Sequence, residues 1–208
     1  IDDVHGFDAN GKNGNPYDGN GHGSHVAGTI GAVGNNGLGV VGVNQVAQIM
    51  AVKIFDDAGS TNSAAIVRGI EYATKMGARI TSNSWGGLSA SQAVKQAFEA
   101  SPALHIMSAG NSGWDNDKRA HYPSGYRVSN SIAVAASDRD DKKASFSNYG
   151  LTTVDIAAPG KEIYSLEPGG GYTTKSGTSM ATPHVTGAVA LYLSNHPSAS
   201  VAEVKAAI

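Results

Sequence analysis

Three short segments of this chain carry side chains suited to nucleophilic chemistry. Gly177-Thr178-Ser179-Met180-Ala181-Thr182-Pro183-His184 places a hydroxyl where loop gives way to an apolar helix marked by Val185, Val189, Leu191 and Leu193. A serine there sits among unpaired backbone N–H groups and positive partial charge, which suits a nucleophile whose attack creates an oxyanion. Gly21-His22-Gly23-Ser24-His25-Val26-Ala27-Gly28-Thr29 leaves one imidazole uncovered between glycines, ahead of an inward-packing helix. Neutral imidazole is the usual base for activating a serine at neutral pH. In Met107-Ser108-Ala109-Gly110-Asn111-Ser112-Gly113 an apolar strand runs out into Gly110 and delivers a carboxamide, whose N–H can donate to a developing oxyanion. Each segment alone reads equally well as a helix cap, a packed histidine or a loop amide. Together they point to a serine hydrolase.

The elements that must position these groups alternate. Strands are expected over residues 46–55, 80–84, 104–109, 132–136 and 154–157. Helices are expected over 61–76, closed by Gly77, over 89–100, and from Ser179 to about residue 195. Ser200-x-x-Glu203 forms a capping box opening the last helix. Strand, helix, strand in succession predicts an α/β fold, a three-layer structure with a mostly parallel sheet and helices on both faces. Sites in such sheets gather at the C-terminal strand ends, where Asn111 falls. One domain over residues 1–208 is the expectation, with no internal repeat or linker.

The segments resemble those of the subtilisin-like serine proteases, the subtilase family. The likeness runs in order through His22-Gly23-Ser24-His25-Val26-Ala27-Gly28, Asn83-Ser84-Trp85-Gly86-Gly87, Ala109-Gly110-Asn111 and the Ser179 motif. It implies His22 as general base, Ser179 as nucleophile, and Asn111 with the Ser179 N–H as the oxyanion hole of an endopeptidase. Loss of such an asparagine costs roughly 10²–10³ in turnover in a subtilisin. It also implies that Ser84-Trp85-Gly86 pairs with an extended peptide substrate, with Ala58-Gly59-Ser60 opposite. Ser108-Ala109-Gly110 would wall the pocket for the residue before the scissile bond. His121 would stand at the pocket floor, making it shallower and more polar; a surface-loop histidine is the alternative. A propeptide or protein inhibitor, secretion and a structural Ca²⁺ are further family traits.

One departure stands out. The family's catalytic Asp lies on an apolar strand before the His motif, whereas this chain opens Ile1-Asp2-Asp3 in a polar, glycine-rich segment. Asp2, Asp3, Asp8 and Asp18 are the upstream candidates; they read as loop residues and candidate calcium ligands. A polar loop without metal is equally consistent. The chain therefore reads as a fragment, trimmed at both ends, whose triad Asp lies outside it. Loss of that Asp costs about 3 × 10⁴ in turnover in a subtilisin, so weak or no activity is expected.

Composition narrows the alternatives. A net charge of −2 gives no electrostatic case for nucleic acid or an anionic membrane, and no apolar run spans a bilayer. With no cysteine, disulfides, zinc–thiolate sites and a cysteine nucleophile are excluded. Gly37-Leu38-Gly39-Val40-Val41-Gly42 matches a dinucleotide fingerprint but follows a helix and leads into a strand, the reverse of the required order. A binding module without catalysis remains as the second functional class. A different serine hydrolase is the third: a chymotrypsin-like order would place an Asp between His22 and Ser179, where several lie, but the helices oppose that all-β fold, and Ala181 and the order of His and Ser oppose an α/β-hydrolase.

Overall fold

The computed structural model describes residues 2–208, with side chains from His5 onward. Four strands run parallel in the order β3 (Ile80–Asn83), β4 (Leu104–Ser108), β5 (Ser131–Ser137) and β6 (Ile156–Pro159). The α/β expectation holds. The sheet, however, comes in two pieces: β1 (Asp2–Asp8) and β2 (Met50–Lys53) pair in parallel as a separate ribbon. The opening residues are thus strand, not the loop their polarity suggests. A second departure is an antiparallel hairpin, β7 (Ile163–Glu167) with β8 (Gly171–Lys175). Its turn uses Gly169 and Gly170, both at positive φ, a conformation glycine adopts without strain.

β4 and β5 are buried along their whole length, which explains the apolar runs at their centres. Side chains alternate across β4. Leu104 and Ile106 join Ile132, Val134 and Ala136 of β5 under Ala181, Val185 and Val189 of helix α4 (Thr178–Asn195). His105 and Met107 face the other layer. There Met107 packs with Ile66 and Ile70 of α2 (Ser63–Lys75) and Val94 and Phe98 of α3 (Gln92–Ala100). The side chains of Asn62 and Ser91 cap those two helices. Helix α5 (Val201–Ala207) carries the expected capping box and buries Val204 against the α4 side.

Helix α1 (His22–Gly31) lies against both α4 and the hairpin. Val26 and Ile30 cluster with Met180, the residue after Ser179. His25 is fully buried: its Nε2 lies 3.0 Å from the Ile163 carbonyl, and Ser165 Oγ donates to its carbonyl. Gly28 admits the hairpin, since a Cβ there would meet Ser165 Oγ and Leu166.

Candidate active site

His22 opens α1 and Ser179 lies in the first turn of α4, and the Val26–Ile30–Met180 contact ties the two helices together. Asp18 fixes where α1 begins. Its Oδ1 accepts from Asn20 N and Gly21 N, and its Oδ2 accepts from Ser24 N and Ser24 Oγ, placing a carboxylate at the positive helix end. Burial raises the Asp18 carboxyl, but the hydrogen bonds from Ser24, Gly21 and Asn20 outweigh it and leave it below the ordinary value. Asp18 is therefore a helix cap, and its oxygens are committed to it.

Among the described residues, neither ring nitrogen of His22 has a hydrogen-bond partner. Burial lowers its imidazole below the ordinary value of 6.5, Lys175 lowers it further, and Asp18 opposes both. His22 is thus a neutral imidazole at neutral pH.

Ser179, half-buried, is held by a reciprocal pair. Its Oγ donates to the Ser84 carbonyl at 3.1 Å, and Ser84 Oγ donates to the Ser179 carbonyl at 2.8 Å. The reason lies one turn on. Pro183 has no N–H, so the Ser179 carbonyl lacks the helix donor that position normally supplies, and the Ser84 hydroxyl takes its place. The resemblance had assigned Ser84 to the substrate strand; in the structure its side chain anchors the nucleophile candidate, and its carbonyl is already occupied.

The Asn111 carboxamide is oriented by Thr178, whose N and Oγ1 both donate to Asn111 Oδ1, at 2.8 and 2.9 Å. That leaves Nδ2 to point the other way. A Cβ on Gly177 would stand 3.3 Å from Asn111 Nδ2 and 3.6 Å from Ser179 N, so the two N–H donors flank one small space that glycine keeps open. Ser179 N lies in the first helical turn, where no carbonyl of the helix reaches it. Such a pair can stabilise an oxyanion formed at a carbonyl attacked by Ser179. Thr178 was not singled out from sequence, although it adjoins Ser179 in the same motif.

The other candidates gather at the ends of β3 and β4. His121 lies between the two segments assigned to the pocket. A Cβ on Gly86 would come within 2.2 Å of its Cε1, and one on Gly110 within 2.9 Å of its ring. Gly110 is at φ +106, so geometry and crowding both require glycine there. Among the described residues His121 Nδ1 is buried without a partner, and burial lowers the imidazole below 6.5. Ser108 and Ala109 are buried, and Ser108 Oγ donates to the Trp85 carbonyl. Ala58-Gly59-Ser60 is a turn closed on Asp56, not a strand opposite Ser84–Gly86.

Among the described residues no three His, Cys, Asp or Glu side chains are grouped to hold a metal ion, and no helix is long and apolar enough to cross a membrane.

Residues 1–208 match the Subtilase family (Peptidase_S8). Thermitase of Thermoactinomyces vulgaris is 43% identical over 208 residues, covering 99% of this chain and 72% of that protein. Subtilisin DY of Bacillus licheniformis is 44% identical over 192 residues, covering 90% and 69%. Among solved structures, a cold adapted subtilisin-like serine proteinase superposes with a TM-score of 0.85 at 33% identity, covering 96% of this chain and 71% of that one.

Proposed function

The chain belongs to the subtilase family, and on that premise we propose that it carries the machinery of a serine endopeptidase working through an acyl-enzyme. Ser179 Oγ attacks the peptide carbonyl while His22 accepts its proton. The oxyanion sits between Asn111 Nδ2 and Ser179 N, His22 returns the proton to the leaving amine, and water releases the acyl group. The observation that carries this reading is the convergence of Asn111 Nδ2 and Ser179 N on the space beside Gly177. Hydrolysis of casein and of chromogenic peptides by the chain, weak for want of the triad Asp and abolished in Ser179→Ala, is expected. Equal hydrolysis by that variant contradicts the reading.

A second reading has its own support: the nearest upstream carboxylate, Asp18, is occupied as a helix cap, and Ser179 Oγ faces the Ser84 carbonyl. Binding of extended peptide by the folded chain with no turnover favours a binding module.

For substrate selection, the His121 ring between Gly86 and Gly110 supports a shallow, polar pocket. His121→Gly is expected to shift preference toward larger residues before the scissile bond; an unchanged cleavage profile contradicts this. A protein or peptide substrate in extended form is the partner proposed, with a propeptide or protein inhibitor using the same edge, and secretion is proposed by family likeness. A structural Ca²⁺ in segment 2–20 rests on its oxygen-rich composition alone. Asp8 Oδ1 already accepts from Asn10 N and Gly11 N, and both Asp18 oxygens are committed. A chelator-dependent fall in Tm supports the ion, and identical unfolding removes it.

A further inference from the structure

Asn148 lies far from the three motifs in sequence, yet its side chain grips both flanks of Asn111. Its Oδ1 accepts from Ser112 N at 2.8 Å and Trp114 N at 3.1 Å. Its Nδ2 donates to the Ala109 carbonyl at 3.1 Å and to Asn116 Oδ1 at 3.0 Å. Its backbone N–H donates to the Gly110 carbonyl at 2.9 Å. Asn116 completes the clamp, with Nδ2 donating to the same Ala109 carbonyl at 2.8 Å. Asn148 is fully buried and Asn116 nearly so, whereas Asn111 is exposed and its side chain is held through Oδ1 by Thr178.

The carboxamide of Asn148 thus fills its donor and acceptor positions on the loop that carries Asn111. A buried, fully satisfied amide is stiff, because any shift leaves polar groups unpaired in a low-dielectric interior. Gly110 lets the amide come this close, since a Cβ there would stand 2.5 Å from Asn148 Nδ2. We propose that Asn148, backed by Asn116, is a positioning residue for the oxyanion donor. It sets the height and direction of the 109–114 loop so that Asn111 Nδ2 meets the space shared with Ser179 N. The proposal rests on the reading of Asn111 as that donor.

A double-mutant cycle on peptide hydrolysis tests it. Asn148→Ala is expected to lower kcat by about 10- to 100-fold with KM unchanged, short of the roughly 10²–10³ that loss of an oxyanion donor costs. In the Asn111→Ala background the same change is expected to cost less than about twofold, because the group it positions is gone. An equal loss in both backgrounds means a merely structural role and overturns the proposal, as does no loss in either. Circular dichroism and Tm check folding. If Asn148→Ala does not fold, Asn116→Ala, which removes only the outer half of the clamp, is put through the same cycle with the same criterion. Absence of turnover in the unsubstituted chain overturns the endopeptidase reading and this proposal with it. Turnover that is lost in Asn111→Ala but indifferent to Asn148→Ala and Asn116→Ala overturns the positioning role alone.

Discussion

A general base must be neutral to accept a proton, and two features keep His22 so: burial first, then the nearby Lys175. Its folded-state pKa lies below 6.5, so the acid limb of the pH profile of kcat/KM is expected to have its midpoint below that value. Lys175→Met removes a cation that disfavours imidazolium and is expected to move the midpoint upward. A limb at or above 6.5, or one indifferent to Lys175, contradicts the assignment. Ser84 supplies a second test. In Ser84→Ala the half-buried Ser179 carbonyl, already deprived of a helix donor by Pro183, loses its replacement, and a stability loss of about 1 kcal/mol is expected from denaturant unfolding. An unchanged midpoint contradicts the exchange of donors inferred at this turn. His22, Ser179 and Asn111 were legible from sequence because each sits in a short motif whose neighbours are glycines and small residues. Thr178, Asn116 and Asn148 were not, because an amide or hydroxyl that serves a neighbouring loop carries no spacing that announces it.

Elements whose apolar residues repeat with a clear period were read correctly. Helix α3 starts at Gln92 behind the Ser91 cap, inside the expected 89–100, and α4 ends at Asn195 as expected. The strand expected over 46–55 shrinks to Met50–Lys53, and Val46 is 82% exposed, so its apolar character reflects a surface loop. Strand β1 was missed because Asp2-Asp3-Val4-His5-Gly6-Phe7-Asp8 holds few apolar residues; its backbone pairs with β2 regardless. The β7–β8 hairpin had a usable signal in Gly169-Gly170 between Tyr164-Ser165-Leu166 and Tyr172-Thr173-Thr174. Its packing on α1 is testable. Gly28→Ala would put a Cβ 2.4 Å from Ser165 Oγ and 2.7 Å from Leu166 Cγ. A loss of about 1–3 kcal/mol is expected as the hairpin is pushed off the helix, read from the urea midpoint. No loss means that the hairpin is not seated as described.

Across the whole molecule, four histidines beyond His22 share its environment: His25 and His105 are fully buried, His121 and His184 half-buried, and all four are lowered, burial being the largest cause for each. His105 is the extreme, fully enclosed beside the Phe98 ring with Nδ1 paired to Thr81 Oγ1, and lowered to about 4. A depressed imidazole binds fewer protons folded than unfolded, so stability rises with pH between the two values. Its contribution is complete above 6.5 and is lost as the pH falls toward 4, a change of about 3 kcal/mol from His105 alone. Urea midpoints across that range are expected to fall toward acid; a flat profile contradicts the burial of these rings. The central claim is that folding presents Ser179 as an activated nucleophile, and the intact mass of the folded chain after exposure to a fluorophosphonate tests it most directly. A single phosphonyl adduct located on Ser179, absent in Ser179→Ala and slowed in Asn111→Ala, is the result expected. No adduct on the folded chain, or one that persists in Ser179→Ala, contradicts it.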